Sequence, residues 1–344
     1  MAQKRQILSI NGGGVRGLYS IAILAQIEQC LADQQKDENL NIGKYFDMIS
    51  GTSIGGILAI GLASGINARS LYKTLLDNAA NIFPPPMLSG TPILGAIFSI
   101  LRVIKLILLG SRYNQKALKA TLISVLGDKR IRDLDRRVIV PVINITNGQP
   151  SLIKTPHNEI FKRDGEYKVV DVCLGTSAAP TYFPPHKVNN HYWVDGGLIA
   201  NNPTLISCHE AKYFLDWDLD NLYILSIGTL NSEFALNHKK INSWTSKFKG
   251  FLNIWQGGLN IIELTLSANQ IMQNKMASHI IGERLVEVDE IIGKQQSDEI
   301  AIDIATKDAL EMMAGRAEHK AHSVFANSKV KAFFKNYADE FQPF

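Results

Sequence analysis

Twice in its first 65 residues the chain runs through a short apolar stretch, stops at a glycine-rich turn and passes at once into a helical pattern. QILSI ends in Asn11-Gly12-Gly13-Gly14, after which Leu18, Ile21, Leu24, Ile27 and Leu31 recur every three or four residues, as on one face of a helix. A polar loop from Asp33 to Gly43 follows. YFDMIS then meets Gly51-Thr52-Ser53-Ile54-Gly55, and ILAIGLA enters a second helix that Gly65 ends. RRVIVPVINIT, YKVVDVCLG, HYWVDGG and LYILSIGT read as further strands between helical patterns. Two consecutive strand-turn-helix units predict parallel strands, so the expected fold is α/β: a mainly parallel sheet with helices on both faces, an α/β/α sandwich. From about Lys239 to Phe344 the pattern is mostly helical, including Asp298 to Phe325. With no repeat, low-complexity linker or clear boundary, the expectation is a single domain: a core over 7–229, an insertion or lid over 71–127, and a helical part over 239–344 packed on that core.

The insertion is both apolar and cationic. No Asp or Glu occurs between Asp77 and Asp128, and the run from Pro92 to Gly110 is apolar except for polar breaks at Ser99, Arg102 and Lys105. That is marginal against the roughly 20 apolar residues a spanning helix needs. Two readings stand: an interfacial helix whose Arg102 and Lys105 face lipid phosphates, or a buried helix with two snorkelling cations. A net charge of +4 without clustered Lys and Arg excludes a dedicated DNA or RNA binder. Cys30, Cys173 and Cys208 fit no metal or redox spacing and read as free thiols. With no signal-peptide core ahead of QILSI, a cytoplasmic location is expected.

Gly51-Thr52-Ser53-Ile54-Gly55 is G-x-S-x-G between a strand and a helix, the setting in which a serine sits on a tight elbow as a nucleophile, with Gly51 and Gly55 permitting close backbone approach. Gly12-Gly13-Gly14-Val15-Arg16-Gly17 is a second strand-to-helix turn rich in backbone N–H groups, suited to a phosphate or a tetrahedral oxyanion. It also fits G-x-G-x-x-G. A dinucleotide site would need an acidic residue at the end of the second strand, whereas Asp33, Asp37 and Glu38 fall in the loop before it, so an oxyanion hole is favoured. None of the eight histidines lies in a motif that marks a base. Asp195 closes an apolar strand ahead of Gly196-Gly197, and a carboxylate in direct contact with a hydroxyl and partly desolvated can act as its base. Alone, Asp-Gly-Gly reads as a turn; after the glycine loop and the serine elbow it reads as the partner of Ser53.

Those three elements, in that order, resemble the patatin-like phospholipases. In that family the glycine loop D-G-G-G-x-R/K-G forms the oxyanion hole, the G-x-S-x-G serine is the nucleophile and the D-G-G/A aspartate completes a Ser-Asp dyad. The loop matches at Gly12, Gly13, Gly14, Arg16 and Gly17, with Asn11 in place of the aspartate; the other motifs match at Ser53 and Asp195-Gly196. GTSAAPTYFPPH and LSIGT extend the likeness from about Ile7 to Thr229. The resemblance implies a three-layer α/β/α sandwich and hydrolysis of a glycerolipid ester, with a membrane phospholipid as substrate and neither metal nor cofactor. One bacterial subgroup implied by the likeness acts in antiphage signalling: a cyclic dinucleotide switches it on to degrade the inner membrane, with which it would associate peripherally. An ungated lipase and a catalytically silent lipid- or nucleotide-binding module remain as alternatives, and oligomeric state, a homo-oligomer included, stays open.

Overall fold

The computed structural model describes residues 4–84, 111–230, 255, 259–293 and 299–344. Arg102 and Lys105, with the whole apolar run from Pro92 to Gly110, lie outside them.

In chain order the main elements are β1 (Arg5–Ile10), α1 (Gly17–Gln35), β2 (Met48–Gly51), α2 (Ile54–Ala63), α3 (Ala68–Ile82), α4 (Lys116–Leu126), β3 (Arg137–Asn144), β4 (Gln149–Lys154), α5 (Val169–Thr176), β5 (His186–Val188), β6 (His191–Asp195), α6 (Gly197–Ala200), α7 (Thr204–Tyr213), β7 (Leu222–Ile227), α8 (Leu259–Ile281), β8 (Leu285–Val288) and α9 (Lys307–Ala326). The sheet runs β5-β6-β3-β2-β1-β7-β8, with β4 also on β3. β3, β2, β1, β7 and β8 are mutually parallel, and β4, β5 and β6 add antiparallel pairings at the β3 side. The mainly parallel sheet flanked by helices is therefore present.

Because side chains alternate along a strand, each strand feeds two cores. Leu8, Ile10, Ile49, Val138, Val140, Leu225 and Ile227 face a large core with α1, α2, α3, α4, α5 and α9. Ile7, Met48, Ile139, Leu222 and Ile224 face a smaller one with Cys208 and Ala211 of α7 and Ala277 and Ile281 of α8. On this second face the middle of the sheet is polar. Ser9, Ser50 and Ser226 stand in register on adjacent strands, fully buried. Thr204 donates to Ser9 Oγ at 2.9 Å and Ser207 to Ser50 Oγ at 2.7 Å, so hydroxyls seat α7 on the sheet.

Two expectations need correction. YKVVDVCLG is not a strand: Val169–Thr176 is helix α5. A β-branched run buried on nearly all sides gives no period that separates helix from strand, and packing against α2 and β6 decides. The C-terminal part is mostly helical, as expected, and also holds the short strand β8. Its last long helix begins at Lys307, where the Thr306 side chain accepts from Ala309 N, and not near Asp298.

Candidate active site

Ser53 lies between β2 and α2 at φ 56° and ψ −126°, a conformation that costs a non-glycine residue on the order of 1–3 kcal/mol and persists only where the surroundings impose it. Here they do. Ser53 N donates to Thr176 Oγ1 at 3.0 Å, Thr176 Oγ1 donates to Pro141 O at 2.8 Å, and Thr52 Oγ1 donates to Ala200 O at 2.6 Å. The two elbow glycines are required by close approach: a Cβ on Gly51 would lie 2.0 Å from Gly55 O, and one on Gly55 2.3 Å from Ile10 O.

The sheet brings Asp195 beside this elbow, since β6 ends against β3, the neighbour of β2. Ser53 Oγ donates to Asp195 Oδ2 at 2.7 Å, and Gly197 N donates to Asp195 Oδ1 at 2.7 Å. Burial pushes the Asp195 carboxyl up to about 7, while the two hydrogen bonds pull against it. The carboxylate is thus a stronger base than an exposed aspartate.

An account of the amides of the glycine loop separates its residues. Gly12 N donates to Asn201 O at 2.9 Å, Val15 N to Ile302 O at 2.8 Å and Arg16 N to Gly13 O at 3.2 Å. The Gly17 amide closes back on Gly14 O and Val15 O. The amides of Gly13 and Gly14 have no acceptor among the described residues, and both residues line the cavity that also holds Ser53 and Asp195. Gly14 has φ +58°, and Ile302 O occupies the space a side chain would need. Arg16 and Gly17 stand behind the loop: Arg16 Nη1 donates to Leu230 O at 3.2 Å, and Gly17 makes room for Ile54. Of the five loop residues, only Gly13 and Gly14 can present free amides to a developing oxyanion.

The cavity leads away from Ser53 between α2, α3 and α4, lined by Leu58, Leu71, Leu75, Phe83, Leu122 and Val125. Among the described residues, Asp195 is its only charged lining residue. The arrangement offers a hydroxyl, a desolvated carboxylate and unoccupied amides at one end of an apolar channel, which suits acyl transfer to and from a long-chain ester.

His157 is buried, with Nε2 2.8 Å from Glu210 Oε1 and Nδ1 3.0 Å from Thr155 Oγ1, but neither His157 nor Glu210 lines the cavity. Thr176, Asn201, Leu266 of α8 and Ile302 also build the site and were not among the residues singled out from the sequence. Thr176 lies within a segment already marked, GTSAAPTYFPPH, and Asn201 follows Asp195 by six residues. Leu266 and Ile302 lie in the helical C-terminal part and carry no motif.

Residues 8–207 match the family described as Patatin-like phospholipase. A protein of Escherichia coli (strain TW11681) named cGAMP-activated phospholipase is 37% identical over 98% of this chain and 94% of its own length. A protein of the same name from Vibrio cholerae serotype O1 (strain ATCC 39315 / El Tor Inaba N16961) is 37% identical over 98% of this chain and 96% of its own. The crystal structure of VipD from Legionella pneumophila aligns over 98% of this chain and 68% of that one, with 12% identity and a TM-score of 0.43. With more than half of its residues inside the family match and near-full-length relatives above one-third identity, the chain belongs to the patatin-like phospholipases and is a lipid acyl hydrolase.

Proposed function

We propose that Ser53 and Asp195 form the catalytic dyad of a phospholipase that cleaves fatty-acyl esters of membrane phospholipids, with the amides of Gly13 and Gly14 as its oxyanion hole. The observation that carries this reading is the 2.7 Å hydrogen bond from Ser53 Oγ to a buried carboxylate at the end of an apolar channel. Ser53 Oγ attacks the ester carbonyl as Asp195 Oδ2 takes its proton, and the tetrahedral oxyanion forms against the two amides. Collapse breaks the ester bond, and the proton on Asp195 goes to the departing lysolipid alkoxide. The acyl group stays on Ser53 until a water, deprotonated by the same carboxylate, attacks it and releases the fatty acid. The apolar channel takes the acyl chain.

The dyad requires an ionised Asp195 in the free enzyme. Since burial raises that group, kcat/KM on a soluble ester is expected to climb from pH 5 to 8 with a midpoint near 7, not near the ordinary carboxylate value of 3.8. A profile already flat above pH 5 would remove Asp195 from the role of base.

The relatives named cGAMP-activated phospholipase support a finer reading: this chain too is switched on by a cyclic dinucleotide and attacks the inner membrane from the cytoplasm in antiphage defence. Fatty-acid release from phosphatidylethanolamine/phosphatidylglycerol liposomes, with and without cGAMP, tests both levels. Release that rises at least tenfold with cGAMP supports the gate. Equal release in both arms makes the enzyme an ungated lipase, and absence of release together with no fluorophosphonate labelling of Ser53 makes it a silent binding module.

A further inference from the structure

Helix α8 buries amides beside Ile262, Ala277 and Ile281 and leaves a row of apolar side chains outside. Its inward face carries amides: Asn260, Gln270 and Gln273 are buried, and Asn269 Oδ1 accepts from Asn201 N at 2.8 Å while its Nδ2 donates to Gly197 O at 2.6 Å. Its outward face carries Ile261, Leu264, Ile271, Met272, Met276 and Ile280, each 37–52% exposed. These are six of the fourteen exposed large hydrophobic side chains among the described residues, so the exposure is concentrated on one stripe of one helix and not scattered over the surface. They fall within one half of the helix's circumference along 23 residues, about 35 Å of helix. Among the described residues no helix is long and apolar enough to cross a bilayer, so a stripe of this kind can lie on one but not span it.

We propose that the outer face of α8 is the surface on which the protein seats itself on a phospholipid bilayer. Two features favour lipid over a second protein. The helix that carries the stripe also borders the substrate's path, because Leu266, toward its inward side, lines the cavity at Ser53. The charge also suits an anionic membrane: α8 has one acidic residue, Glu263, close enough to Arg16 to feel its charge, while Lys275 stands exposed between Met272 and Met276. Buried apolar area and attraction of Lys275 to lipid phosphates then act together. The seat also reaches the dyad. Asn269 holds Gly197 O, Gly197 N holds Asp195, and Asn201 Nδ2 donates to Gln270 Oε1 at 2.8 Å, so a shift of α8 on lipid bears on the carboxylate through two residues.

The proposal rests on the reading of Ser53 as a lipid-ester nucleophile, and the test separates the two. Binding is measured by co-sedimentation with vesicles of equal parts phosphatidylethanolamine and phosphatidylglycerol, with and without cGAMP, in a Ser53→Ala background so that the lipid stays intact. Met272→Glu/Met276→Glu is expected to weaken binding at least tenfold, and Met272→Leu/Met276→Leu to leave it within twofold of the parent. In the background with Ser53 intact, the glutamate pair is expected to hydrolyse a short-chain soluble ester at the normal rate, and both pairs to keep the parental melting temperature. Should the glutamate pair fail to fold, Leu264→Glu one end of the stripe away serves in its place. Unchanged binding by the glutamate variants overturns the proposal, as does a parent that binds no vesicles in either condition. So does a parent that is a dimer in solution and becomes monomeric in the glutamate pair while vesicle binding persists, which would give the face to a second copy of the chain. Soluble-ester turnover surviving Ser53→Ala would instead defeat the nucleophile reading, whatever the vesicles show.

Discussion

Ser53→Ala and Asp195→Asn are each expected to lower fatty-acid release by at least about 10³-fold, with the folded structure retained. The serine variant removes the atom that attacks. The asparagine variant keeps the size of the side chain and one oxygen, which can accept from Ser53 Oγ or from Gly197 N but not from both, and it cannot take the proton. Titration of released fatty acid from liposomes measures both, and activity within tenfold of the parent in either variant places the chemistry elsewhere. Asp195→Asn carries a second expectation. A carboxyl raised from 3.8 to about 7 by burial favours the folded state fully below the unfolded value and loses that contribution as pH rises through about 7. At pH 8 the folded protein therefore holds a buried charge at a cost of a few kcal/mol, at about 1.4 kcal/mol for each unit of pKa. The neutral asparagine should melt above the parent at pH 8, and the gap should narrow toward pH 5.

Gly55→Ala is expected to be the more damaging change, because it strikes the backbone. Its Cβ would sit 2.3 Å from Ile10 O and 2.6 Å from Asn11 O, where no flexible side chain can give way. The helix carrying Ser53 would have to lift off the end of β1, opening both the elbow and the glycine loop that leaves β1. A loss of roughly 3 kcal/mol or more, or failure to fold, is expected. Gly315→Ala in α9 is the control: nothing lies within 4 Å of its Cβ, and alanine in a helix interior should be neutral or stabilising by up to about 1 kcal/mol. Chemical denaturation of the two variants reads the difference, and a Gly55→Ala protein as stable as the parent would mean that the elbow is looser than these distances imply.

What could be read in the sequence was what the backbone demands. Gly14 at positive φ, Gly51 and Gly55 pressed against carbonyls, and a serine between strand and helix leave a residue-by-residue trace, because few other residues fit there. Asp195 could be placed by its strand and its glycines. The fates of single amides were not legible: that Gly12 N is occupied by Asn201 O while Gly13 N and Gly14 N stay open depends on contacts from 189 residues away in the chain, which no local pattern records. Val169–Thr176 misled for the opposite reason, since a segment buried on nearly every side carries composition but no period. Thr176, at the end of that misread helix, is the residue that fixes the amide of Ser53. α8 was legible only as a helix; that its amides turn inward and its methionines outward follows from what it packs against.

The acceptor for Val15 N is the carbonyl of Ile302, and the stretch that supplies it is anchored by Asp303 Oδ2, 2.7 Å from Arg112 Nη1. The recognisable family segment ends almost a hundred residues earlier, at 207. A shortened protein that kept all three motifs but stopped after β7 would leave Val15 N bare and uncover Gly14 on the side where Ile302 now sits. The minimal working unit of this enzyme is thus larger than the set of residues by which it is recognised, since Leu266 of α8 and the stretch around Ile302 wall the reaction chamber.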